Sequence, residues 1–120
     1  MSYYSYHTIS LAKIKEDKKL DYINSETDFA LNIIKDFRDN NENAYYGIDE
    51  KGFSQQDCSW YSVDEELKEF SLKYPDIVFL LEREGEQNDD LEQSYFYRGK
   101  KQENYAVITF DDFDANFFGI

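Results

Sequence analysis

The sequence predicts an α+β sandwich in which two helices cover one face of a mostly antiparallel sheet of four to five strands. The first observation behind this is that the chain folds at all: its formal net charge is -13, yet it carries 11 Tyr and 10 Phe. Acidic chains that stay unfolded are poor in aromatics, because they lack the apolar surface whose burial offsets chain entropy. The second is length. At 120 residues and 14.4 kDa the chain is expected to form one domain over residues 1–120, with a single core. The third is the order of segments, which runs strand, helix, one or two short strands, helix, and then three strands; strands that follow one another directly pair antiparallel.

Tyr3–Leu11 is rich in Tyr, Ser and Thr with Ile9 and Leu11, and reads as the first strand. Lys13, Lys15, Lys18 and Lys19, mixed with Glu16 and Asp17, follow as the one locally basic stretch and are expected in a solvated connection or frayed strand end. Ser25 is placed to cap a helix whose third residue is Asp28, with Phe29, Ala30, Ile33, Ile34 and Phe37 at helical spacing and an end near Asp39–Asn41. Ala44–Ile48 reads as a short strand and Asp49–Gly52 as a turn.

The second helix has the clearest punctuation. Ser62 and Glu65 have capping-box spacing, Leu67, Phe70 and Leu72 follow, and Pro75 disfavours helical geometry at Tyr74 and so ends the helix there. The apolar run Ile77–Leu81 is then a buried central strand. Gly85, Asn88, Asp89 and Asp90 mark a turn, and two strands, Ser94–Tyr97 and Tyr105–Phe110, are expected to form a hairpin through Arg98–Lys101.

Little in the chain points to chemistry. Cys58 and His7 are each unique, so a thiol–imidazole pair can be drawn, but an activated thiolate needs an electropositive setting that an acidic chain is poorly placed to supply. One Cys and one His cannot furnish a structural zinc site. Asp112–Asn116 opens like a calcium loop, but Phe117 stands where its glycine belongs and no Glu follows at the twelfth position. Arg98-Gly99-Lys100 begins like an RNA-binding strand motif, with Lys100 where an aromatic is needed; Tyr3, Tyr4, Tyr6, Tyr95 and Tyr97 are more simply strand residues. Paired carboxylates abound in so acidic a chain and identify no site, and no glycine-rich turn leads into a helix to cradle phosphate. No catalytic residue, metal ligand or cofactor is therefore assigned.

Cys58-Ser59-Trp60-Tyr61, the helix carrying Leu67 and Phe70-Ser71, Tyr74-Pro75-Asp76-Ile77-Val78-Phe79, Glu84-Gly85-Glu86, Asp90, Tyr95-Phe96 and Gly99-Lys100 together resemble the YubB or Api92-like domain family of phages, plasmids and other mobile elements. The resemblance covers roughly the C-terminal half of the chain and implies a ferredoxin-like core and a mobile-element origin. It implies no catalytic residues. The chain departs from the family pattern at Leu67, where Met is expected, at Leu91, near an expected Trp, and in the more acidic stretch after Glu86, so a shared ligand does not follow.

Function is expected to lie in interaction. A sequence pI near 4.3 repels phosphate backbones and attracts basic proteins. With the mobile-element resemblance, it points to a small anti-defence inhibitor of anti-CRISPR type that binds a basic protein, such as a nucleic-acid-binding effector, in the manner of a DNA mimic. The expected acidic surface is Glu82, Glu84, Glu86, Asp89, Asp90, Glu92, Asp111, Asp112 and Asp114, with Phe113, Phe117 and Phe118 as aromatic anchors. The alternative is a general interaction or oligomerisation module without mimicry; the oligomeric state is left open. Direct nucleic-acid binding and membrane insertion are not expected, since the longest apolar runs fall far short of a bilayer span, and a lone cysteine with no leader-like N-terminus fits the cytosol.

Overall fold

The computed structural model describes residues 4–85, 91–105 and 113–119. It is an α+β sandwich, consistent with ferredoxin-like layering: a five-stranded antiparallel sheet in the order β2-β1-β3-β4-β5 with the helices on one face. The elements are β1 (Tyr6–Ile14), β2 (Leu20–Tyr22), α1 (Asp28–Asn40), α2 (Glu42–Gly47), α3 (Val63–Lys73), β3 (Val78–Glu84), β4 (Leu91–Tyr97), β5 (Lys100–Tyr105) and a 3₁₀ turn at Ala115–Phe118. None of the helices is long and apolar enough to cross a membrane, among the described residues.

Strand alternation sets the inner face. On β1, His7, Ile9 and Leu11 point inward, and their partners on β3, Arg83, Leu81 and Phe79, continue the same rows. Against them pack Ala30, Ile33, Ile34 and Phe37 of α1 and Val63, Leu67 and Phe70 of α3, in one core that also holds Trp60, Ile77 and Phe96. The spacing of these helical residues is the 3.6-residue period that the sequence displayed. Phe70 joins the layers: its ring lies 4.9 Å from that of Phe37, 5.2 Å from Tyr74 and 5.5 Å from Phe79. The Tyr74 hydroxyl donates to Asp36 Oδ2 at 2.6 Å and ties the end of α3 to α1.

Several boundaries differ from the sequence expectation. The first strand starts later than Tyr3–Leu11 and runs on to Ile14, because Ala12, Lys13 and Ile14 pair with Tyr22, Asp21 and Leu20 of the short β2. Helix α1 is capped by Thr27 rather than Ser25. Asn24 folds an Asx turn onto the Glu26 amide at 2.8 Å, which moves the start two residues along and lets Thr27 Oγ1 accept from the Ala30 amide at 3.2 Å.

Ala44–Ile48, expected as a strand, is mostly the short helix α2. Ala44 and Gly47, three residues apart, share its buried side, and a Cβ at Gly47 would lie 3.0 Å from Cys58 Sγ and 3.5 Å from the Trp60 ring. Tyr45 and Tyr46, whose β-propensity prompted the strand reading, point to solvent. Ser62 begins α3, but no capping box forms with Glu65; the Ser62 hydroxyl and the Trp60 indole N–H both reach Glu66 Oε2 instead. The β4–β5 turn is the two residues Arg98 (φ 49°) and Gly99 (φ 80°), so β5 begins at Lys100. The strand expected over Tyr105–Phe110 lies, beyond Tyr105, outside the described residues.

Candidate functional site

Among the described residues no helix covers the second face of the sheet, and the sequence gives that face two chemically different ends. Side chains alternate, so β1 presents Tyr6, Thr8 and Ser10 here, β3 presents Val78, Leu80, Glu82 and Glu84, and β4 presents Leu91, Gln93, Tyr95 and Tyr97.

At one end the registers make two cross-strand rows, Tyr6–Glu84–Leu91 and Thr8–Glu82–Gln93. These rim an open depression of about 480 Å³. Glu82 and Glu84 are exposed, as are Tyr6 and Leu91, and neither carboxylate forms an ion pair among the described residues.

The other end is basic and aromatic. Val78 forms a floor that is only 5% exposed, walled by Tyr22, Tyr95 and Tyr97. Ile14, Leu20, Gln102 and the two lysines Lys18 and Lys19 of the β1–β2 turn complete a groove of about 620 Å³. Burial and a hydrogen bond with Tyr95 raise the Tyr22 pKa above the usual phenol value.

The expected acidic surface separates into parts. Glu82 and Glu84 lie together on the open face, and Asp114 is exposed at the start of the C-terminal turn, where its Oδ1 accepts from the Asn116 amide at 3.0 Å. Glu86, Asp89, Asp90, Asp111 and Asp112 lie outside the described residues. Glu92 is a correction: it points to the helix side of the sheet, is 8% exposed and is bound to internal cations. Glu92 is the second residue of β4, and alternation from the outward-facing Leu91 turns it inward. The side chains expected as aromatic anchors are exposed, Phe113 at 76%, Phe117 at 81% and Phe118 at 63%. They pack on one another, with Phe113 stacked on Phe118 at 5.5 Å and Phe117 edge-on to Phe118 at 5.2 Å.

Glu92 belongs to a charge network between the sheet and the first turn of α3. Arg83 Nη1 donates to Glu92 Oε2 at 2.9 Å and Arg83 Nη2 to Asp64 Oδ1 at 3.3 Å, while the Ser94 hydroxyl donates to Glu92 Oε1 at 2.8 Å. Lys101 Nζ lies 2.7 Å from Asp64 Oδ2 and 3.4 Å from Glu92 Oε1 and also donates to Glu103. Burial alone would lower the Lys101 pKa; the bonds to Asp64 and Glu103 outweigh it and hold the ammonium well above the ordinary lysine value. Asp64, Glu92 and Glu103 offer carboxylate oxygens within 4.8 Å of one another, which is metal-ligand spacing. The Lys101 ammonium is the cation they share.

The Cys58–His7 pair is brought together, at 3.9 Å from Sγ to Nδ1. Both groups are uncharged there. Burial, then the Arg83 guanidinium, lower the His7 pKa to about 4, and burial, then Asp57, raise that of the Cys58 thiol. A neutral imidazole whose basicity has been suppressed is a poor acceptor for a thiol proton that has become harder to remove. His7 is instead a core ring, 1% exposed and 5.1 Å from Trp60.

Sequence reasoning missed Leu91 beside Glu82 and Glu84, and the tyrosine groove as a unit. Tyr95 and Tyr97 carried a period-two signal, but Tyr22 and the lysines join them only through the β1–β2 pairing. Comparison of the chain with protein-family models, with curated proteins and with solved structures gave no match.

Proposed function

We propose that the chain is a non-enzymatic, acidic protein-binding module of mobile-element origin, an anti-defence inhibitor that offers carboxylates to a basic, nucleic-acid-binding protein in the cytosol as a DNA mimic does. The observation that carries this reading is the exposed pair Glu82 and Glu84 beside the apolar side chains of Tyr6 and Leu91. Inside the protein, carboxylates such as Asp64 and Glu92 are matched by Arg83 and Lys101. The charge left over faces outward, where it steers a cationic partner, and aromatic neighbours supply anchors that charge alone lacks. The uncharged state of Cys58 and His7 favours binding over catalysis. The mobile-element origin rests on the sequence resemblance between Cys58 and Lys100.

The test is binding of purified basic nuclease effectors to the full chain and to E82K/E84K, with duplex DNA as competitor. The mimic reading expects at least tenfold weaker binding by the double variant and displacement of the parent by DNA. Equal binding by both proteins rejects it. Binding that is lost in E82K/E84K but indifferent to DNA supports the second reading, an interaction module without mimicry.

A further inference from the structure

Two features have complementary chemistry and, among the described residues, are not packed against each other. The groove has an apolar floor at Val78 with Ile14 and Leu20 beside it, tyrosine walls and a rim of Lys18 and Lys19. The C-terminal turn carries a compact cluster of Phe113, Phe117 and Phe118 with the acidic Asp114. We infer that the Phe113–Phe118 turn of one copy docks in the Tyr22/Tyr95/Tyr97 groove of a second copy, so that two chains exchange arms reciprocally about a two-fold axis.

Charge favours this occupant. In a chain of net charge -13, the lysines concentrated at the β1–β2 turn set the groove end apart from its surroundings, and an acidic aromatic segment is what such a rim attracts. The described anchor residues do not fill the groove within their own chain, since all three rings remain largely exposed. Exposed aromatic clusters of this kind serve as anchors in pockets. The sheet edges offer a poorer route to assembly: β2 has three residues, and β5 turns Lys101 inward beneath its outer edge. Reciprocal exchange satisfies both arms and both grooves and closes the assembly at two. The inference does not depend on the basic-partner reading, because neither Glu82 nor Glu84 lines the groove.

Sedimentation equilibrium over a micromolar to submillimolar range reads the outcome, with circular dichroism to confirm that each variant is folded. The full chain is expected to dimerise, F117S/F118S and K18E/K19E each to weaken the dimer at least tenfold, and E84K to leave it unchanged. An equimolar mixture of F117S/F118S with K18E/K19E retains one intact arm and one intact groove, and is expected to form a heterodimer more tightly than either forms with itself. A full chain that is monomeric throughout overturns the inference, as does a dimer indifferent to both pairs of substitutions. A monomer in which F117S/F118S perturbs the NMR signals of Tyr95 and Tyr97 shows the arm in its own groove and overturns the assignment to a second copy.

Discussion

At the scale of single residues, the buried polar groups hold the clearest consequences. His7 binds its proton less readily in the folded protein, at about 4, than the ordinary value of 6.5. Above 6.5 neither state is protonated and the residue has no effect. As pH falls from 6.5 toward 4 the unfolded chain takes up a proton that the native protein refuses, and stability declines by about 3 kcal/mol across that window. Urea unfolding followed at a series of pH values is expected to show this slope in the parent and to lose it in His7→Gln. Lys101 makes the opposite case. Replacing it by Met leaves Asp64, Glu92 and Glu103 facing one another without their shared cation, and removing one partner from such a cluster costs about 3–5 kcal/mol. Urea midpoints are expected to show most of this deficit in K101M and much less of it in Lys101→Arg, which keeps the cation; equal deficits in the two would show that lost packing, not charge, is responsible.

At the scale of elements, Gly52 shows how a loop is fixed to the sheet. Past the three-residue β2, the outer edge of β1 is continued by the Asp49–Phe53 turn, where the Ile9 amide donates to the Gly52 carbonyl at 2.8 Å. Gly52 has φ +89°, and a Cβ there would sit 2.2 Å from the Ile9 carbonyl oxygen. Gly52→Ala is therefore expected to lower stability by about 2–4 kcal/mol, while Gly119→Ala, also at positive φ but with nothing within 4 Å, changes core unfolding little; denaturant midpoints compare the two. Elements of this protein were legible in the sequence where one local signal was sufficient. The stop at Pro75, the apolar run of β3 and the inward faces of α1 and α3 all follow from period or punctuation. The rest depended on distant partners. Tyr45 and Tyr46 favour a strand locally, but Ala44 and Gly47 reach the core side by side only as one turn of helix, and the inward turn of Glu92 required knowing that β4 begins at Leu91.

At the scale of the whole molecule, composition announced an acidic folded domain but not how its charge is distributed. The fold gathers Arg83 and Lys101 into the interior, leaves Lys18 and Lys19 at one end of the open face and places Glu82 and Glu84 at the other. That polarity was hidden because the two groups are brought onto one surface by β1–β3 pairing, which joins residues roughly 70 positions apart. The same pairing dictates an uneven path to the native state. The β4–β5 hairpin closes over two residues, and its partners emerge together during synthesis. Strand β1 is made first yet gains its neighbour β3 only after all three helices have been added, and closing so long a loop spends chain entropy before any ladder bond is formed. The interior position of β1 thus gives the earliest synthesised of the five strands one flank, that facing β3, whose pairing waits longest.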